Sequence, residues 1–138
     1  MLRSRMKIVC ALGAGLVLAG SAGSLAAGTT TTVATGKQDG KTVSVRAGGA
    51  LEIRLKGCYG SCGYRWLTTH KPDPKVLRQL SSRIVAAQVT GRPEVQVIRY
   101  RAVAKGTTSL KLGYTGPGRG RKPEDSYTLT VRVSRASN

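Results

Sequence analysis

Few residues in this chain could do chemistry. There is one histidine, His70, and six acids, Asp39, Glu52, Asp73, Glu94, Glu124 and Asp125, against 23 lysines and arginines. A serine or cysteine nucleophile needs a base within hydrogen-bond reach, and that base needs a group to orient it. His70 stands next to Lys71 and Pro72 and reads as a loop residue, not a general base. Glu124 and Asp125 are neighbours in a polar loop and read as a solvated turn. Gly116, Gly118 and Gly120 loosely resemble a phosphate-binding loop, but they lie between predicted strands with no helix N-terminus to hold an anion. The inventory argues against an enzyme, and no cofactor or metal is expected.

The cysteines say more. Cys10, Cys58 and Cys62 are the three present. Arg3, Arg5 and Lys7 precede an uncharged apolar run, Ile8 to Ala19, and small residues follow to Ala27. That order is the pattern of a secretory signal peptide over residues 1–26, with Ser24-Leu25-Ala26 satisfying the small-x-small rule. The apolar run is shorter than the ~20 residues a membrane span needs, so no stable span is expected after cleavage. Cys10 would leave with the signal, and the protein would be exported, either periplasmic or secreted. In an oxidising compartment Cys58 and Cys62 would then form a disulfide closing a tight loop. Two cysteines four apart, with no histidine or second pair nearby, make a poor zinc site.

Strands must position that loop. Apolar residues alternate with polar ones at Val43 and Val45; Leu51, Ile53 and Leu55; Ile98, Tyr100 and Ala102; Leu110, Leu112 and Tyr114; and Tyr127, Leu129, Val131 and Val133. Period-two alternation marks half-buried strands. Gly63 to Thr68 and Ile84 to Val89 are weaker strand candidates. Val95 and Val97 fall out of phase with Ile98, which predicts a β-bulge near Gln96 to Ile98. Asp73 as N-cap and Pro74 at the first position, followed by Val76, Leu77 and Leu80, predict one short helix. Residues 27–39, rich in threonine, are expected to be a flexible leader, and residues 40–138 one domain. Many short strands with glycine-rich turns, and almost no helix, predict an all-β fold, an antiparallel sandwich or barrel.

Net charge is +17, with many cations at the outward positions of the strands, among them Arg54, Arg99, Arg101, Lys111 and Arg132. Such an excess attracts polyanions through the summed field. Contact with an anionic polymer or an acidic protein through the basic surface is therefore a second functional expectation. Nucleic-acid binding by stacking is less well supported, because the aromatics are one tryptophan and five tyrosines, and Tyr100, Tyr114 and Tyr127 fall on the apolar register.

The densest local signal is Gly57-Cys58-Tyr59-Gly60-Ser61-Cys62-Gly63-Tyr64-Arg65-Trp66. A stiff loop leaves one alternating strand, and Gly-Tyr-x-Trp opens the next. Together with Leu51-Glu52-Ile53-Arg54-Leu55, the run from Ile98 through Gly106 to Tyr114, and Tyr127-x-Leu129-x-Val131-x-Val133, it resembles the chagasin-type inhibitors of papain-like cysteine proteases. The similarity extends over roughly Gly40 to Val133. The resemblance implies an immunoglobulin-like antiparallel β-sandwich in which three loops at one end straddle a protease cleft. It places the first, protease-binding loop at Tyr59, Gly60, Ser61, Cys62, Gly63, Tyr64 and Trp66. The second falls near Thr90-Gly91-Arg92-Pro93-Glu94, and the third near Gly116-Pro117-Gly118. The family's Asn-Pro-Thr-Thr is replaced by Tyr59-Gly60-Ser61-Cys62, and the Arg-Pro-Trp of its third loop by Gly116-Pro117-Gly118. On this reading the partner is a papain-like cysteine protease, and the inhibitor is a monomer.

Overall fold

The computed structural model describes residues 29–86 and 92–136. The expected signal peptide, Cys10, and Val89, Thr90 and Gly91 lie outside the described residues.

Eight strands form two four-stranded sheets. They are β1 (Thr31–Ala34), β2 (Lys41–Arg46), β3 (Ala50–Gly57), β4 (Arg65–His70), β5 (Leu77–Val85), β6 (Glu94–Ala102), β7 (Gly106–Thr115) and β8 (Asp125–Ser134). One sheet runs β1-β3-β6-β5 and the other β2-β8-β7-β4. The sandwich expected from the alternation is present, with one qualification. Its sheets are mixed, because β1 pairs with β3 and β2 with β8 in parallel, while the remaining pairs are antiparallel.

Alternation explains the core. Leu51, Ile53 and Leu55 of β3 meet Ile98 and Tyr100 of β6 from one sheet, and Leu110, Leu112, Leu129, Val131 and Val133 come from the other; all are buried. With no phenylalanine in the chain, Tyr59, Tyr100 and Tyr127 are the largest fully buried side chains among the described residues.

The structure corrects three of the sequence expectations. The leader at residues 27–39 is ordered in part. Threonine and valine suit a strand, Ala34 is completely buried, and β1 extends the first sheet while a 3-10 turn at Gly36–Gln38 leads into β2. The helix expected from Asp73 is a single turn. The Asp73 carbonyl accepts from the Val76 and Leu77 amides and its carboxylate from Lys75, so the capping chemistry forms. Leu77 then pairs with Ala102, and a strand continues to Val85 in place of a helix. That strand, β5, takes in Ile84 and Val85 of the candidate Ile84 to Val89, whose residues 87–89 lie outside the described residues. Finally, β6 carries no bulge. Its register with β3 is continuous, and the irregularity lies in β5 between Gln79 and Ser81, which leaves Leu80 exposed. Gln96 shares the inward parity of Ile98 and Tyr100, and Val95 and Val97 face outward. Val97 is nonetheless buried, flanked in register by Arg54 and Arg83, whose aliphatic stems can cover it.

A loop end fastened by tyrosines, a disulfide and two carboxylates

The β3–β4 loop, residues 58–64, is built on rings packed over a glycine. A Cβ at Gly57 would sit 2.7 Å from Tyr59 Cζ and 2.9 Å from Tyr114 Cε2, so only glycine lets both rings close over the strand end. Tyr59 is 1% exposed and its hydroxyl donates to the Leu55 carbonyl at 2.6 Å. Burial pushes its hydroxyl up to about 12 and keeps it a donor. Tyr59, expected on the binding surface, is therefore the anchor beneath it. Trp66, also expected in the binding loop, is likewise buried in the core, tilted against Tyr114 at 5.1 Å and edge-on to Tyr127 at 6.3 Å.

Above this base the chain makes a nested turn. The Gly63 amide donates to the Tyr59 carbonyl at 2.8 Å and the Tyr64 amide to the Cys58 carbonyl at 3.2 Å. Gly63 has φ of 76°, the left-handed conformation that closes the turn at no steric cost for glycine. Cys58 and Cys62 form the expected disulfide, with Cα atoms 5.4 Å apart. Arg65 reaches back to the Tyr59 and Tyr64 carbonyls at 3.3 and 2.7 Å. Gly60, Ser61, Cys62 and Gly63 remain exposed at the tip.

The other two loops brace this one. Glu94 accepts from the Gly60 amide at 2.8 Å, which ties the second loop to the first, while Arg92 and Pro93 are exposed beside it. From the third loop, Gly116 is buried under the Tyr64 ring and Pro117 lies beside Gly63. Pro117 and Gly118 are exposed. Tyr64 stacks on Tyr114 at 4.7 Å and donates its hydroxyl to Glu124, a bond that raises its pKa. Glu124, exposed at a bend as expected, is thus also the acceptor that fastens Tyr64. Its own amide returns to the Tyr114 carbonyl, and Pro123 covers Gly113. The Cys58 amide completes the knot by donating to the Tyr114 hydroxyl at 2.7 Å.

Sequence reasoning missed Gln96 entirely. Its side chain accepts from the Trp66 amide at 2.8 Å and donates to the Trp66 carbonyl at 3.0 Å and to Ser82 Oγ at 3.0 Å. One amide thereby bridges the two sheets directly behind the loop. The signal was available as a lone polar residue at an inward position of β6.

The described residues include no His, Cys, Asp or Glu group able to hold a metal ion, and His70 is exposed at the end of β4. The arrangement offers a shaped, fastened, uncharged tip of small residues, Gly60-Ser61-Cys62-Gly63, framed by an exposed proline. That is the equipment of a binding surface presented by a β scaffold.

Comparison with known proteins agrees. Residues 44–133 match the model of the chagasin family peptidase inhibitor I42. Amoebiasin-2 of Entamoeba histolytica is 28% identical over 100 residues, covering 70% of this chain and 80% of that protein. The crystal structure of the cysteine protease inhibitor EhICP2 from Entamoeba histolytica superposes with a TM-score of 0.64 at 24% identity, covering 77% of this chain and 97% of that one. The structure of PbICP-C, solved in complex with falcipain-2, superposes with a TM-score of 0.52 at 18% identity, over 78% of this chain and 93% of that one. At these identities the two superpositions establish the shared fold. The family match runs from β2 to the end of β8 and takes in all three loops, so the chain belongs to the chagasin family of peptidase inhibitors, which are not enzymes.

Proposed function

We propose that the protein inhibits papain-like cysteine proteases by seating the tip Gly60–Gly63 in the active-site cleft, flanked by Tyr64, Pro117 and Gly118. The observation that carries this reading is the way the tip is held. Its turn is closed by two internal hydrogen bonds and a disulfide and is fastened from outside by Glu94 and the Tyr64–Tyr114 stack. A protease cleaves peptides it can draw out along its cleft. This tip cannot extend without breaking those restraints, so it fills the cleft without becoming a substrate. Its preorganisation also lowers the ordering cost of binding, which offsets the loss of the family's Asn-Pro-Thr-Thr side chains. The Gly60 and Gly63 amides are committed to Glu94 and to the Tyr59 carbonyl, so what the exposed glycines offer next to a catalytic cysteine is close approach of the backbone.

Two further parts of the reading concern where this happens and with what partner. The disulfide would persist outside the cytoplasm, in keeping with export through a signal at residues 1–26. PbICP-C, solved in complex with falcipain-2, is a relative in fold and supports a protein partner for this scaffold. Titration of a papain-family enzyme with the oxidised protein tests the proposal. Competitive, reversible inhibition below micromolar concentration, with the inhibitor recovered uncut, is the expected result. Full protease activity at micromolar inhibitor overturns it.

A further inference from the structure

The loop end accounts for little of the positive charge. The register of the β1-β3-β6-β5 sheet places much of it on that sheet's outer face. Arg54 and Lys56 of β3, Arg99 and Arg101 of β6, and Arg78 and Arg83 of β5 all occupy outward positions. Glu52 is the only acid among the outward positions of these strands. The opposite sheet differs. Its outward positions are mostly threonine and serine, with Arg46, Arg65, Lys111 and Arg132 scattered among them.

Five of the six cations of the first face are arranged in a line, with Arg83 off it opposite Val97. Arg78 lies directly opposite Arg101, Arg99 follows two residues along β6, and Arg54 and Lys56 continue the path on β3. At ~3.4 Å per residue and ~4.8 Å between strands, this diagonal spans roughly 22 Å. Like charges directly opposite each other destabilise a sheet, so the Arg78–Arg101 pair works against folding. Glu52, almost buried, grips two members of the row, reaching Arg54 Nη2 at 2.6 Å and Arg99 Nε at 3.6 Å. Those two arginine side chains keep 53% and 41% of their surface exposed, so Glu52 fixes them in place and leaves them open to a ligand.

We propose that this face binds a linear anionic glycan, one carrying sulfate or carboxylate groups, along the Arg78–Arg101–Arg99–Arg54–Lys56 diagonal. Guanidinium forks match such groups bidentately. The outward positions of this face hold no aromatic side chain, so nucleobases would find no stacking platform. A one-dimensional row also suits a chain better than a lipid surface. The row lies on the flank of the sandwich and approaches the loop end only at Lys56, two residues before Cys58, so the inference stands apart from the protease reading.

The test compares two triple variants of equal net charge, Lys56→Ser/Arg78→Ser/Arg101→Ser on this face and Arg46→Ser/Lys111→Ser/Arg132→Ser on the other. Each is titrated with salt on immobilised heparin, with an oligothymidine and phosphatidylglycerol vesicles as alternative ligands. The wild type and the second variant should be retained alike. The first should elute at lower salt, with the slope of log affinity against log salt reduced by about two, at ~0.7 per lost contact. Equal loss in both variants would overturn the proposal, since net charge alone would then explain retention. Tighter binding to the oligonucleotide or the vesicles than to heparin would also overturn it. All three substituted residues of the first variant are exposed and none touches Glu52. Should that variant nevertheless fold poorly, Arg78→Ser and Arg101→Ser singly carry the same comparison.

Discussion

Replacing Gly57 by alanine should destabilise the protein through a collision that neither neighbour can avoid. The added Cβ would lie 2.7 Å from Tyr59 Cζ, 2.8 Å from its hydroxyl oxygen and 2.9 Å from Tyr114 Cε2. Gly57 is not one of the glycines with positive φ, so the cost is steric and not conformational. Tyr59 is held by its bond to the Leu55 carbonyl, and Tyr114 is held between the Cys58 amide and the Tyr64 ring. Overpacking of a well-packed site costs about 1–3 kcal/mol. At the middle of that range the folded-to-unfolded ratio falls roughly thirtyfold. Urea unfolding followed by the fluorescence of Trp66, the only tryptophan, reads this directly. The midpoint should fall with little change in slope. Gly36→Ala is the control, because its Cβ would meet nothing within 4 Å and its φ is not positive; it should change stability by less than about 0.5 kcal/mol. If Gly57→Ala unfolds at the same urea concentration as Gly36→Ala, the packing argument is refuted. The displaced rings should also loosen the tip, so inhibition of a papain-like enzyme should weaken in parallel.

Gln96→Leu should cost about 1–3 kcal/mol in the same assay, because it strands the Trp66 amide and carbonyl in a buried place; a loss below about 0.5 kcal/mol would mean that water or relaxation replaces the bridge. Reduction of Cys58–Cys62, or Cys58→Ser/Cys62→Ser, removes a loop constraint worth roughly 2 kcal/mol in the chain-entropy account. It should weaken inhibition by about tenfold or more, whereas equal potency in both redox states would show that the hydrogen bonds alone hold the tip. Burial pushes the hydroxyls of Tyr59, Tyr100 and Tyr127 up to about 12 from 10.0. The unfolded chain therefore loses these protons first, so stability is intact below about pH 10 and falls between about pH 10 and 12. Tyrosinate absorbance should appear cooperatively with unfolding in that window; gradual ionisation without unfolding would contradict the burial.

Much of this was legible in the sequence, and the failures have physical causes. Alternation located the strands of the core because each buries one face, and Leu51, Ile53 and Leu55 share the inward parity that their spacing implies. The disulfide followed from cysteine spacing and the expected compartment. Periodicity failed where both faces of a strand are buried: outward Val97 broke the pattern in β6, and the expected bulge concealed Gln96. At Asp73 the capping residues specified one turn correctly, but pairing with β6 decided what followed. The threonine-rich segment looked featureless because an edge strand of four residues, with only Ala34 fully buried, leaves almost no period to detect. At the loop end the tip residues were identified from type and order. Their supports were not, since Glu94 and Glu124 act over 34 and 60 residues of chain separation, which no local pattern carries.

The central claim is that the three-loop end is the surface that meets the protease, and amide hydrogen exchange of the inhibitor alone and in complex with a papain-like enzyme tests it most directly. Protection on binding should concentrate at Gly60–Tyr64 and Gly118, with the outward arginines of β5 and β6 unchanged. Protection centred on that sheet face, or spread evenly over the sandwich with none at the tip, would contradict the account.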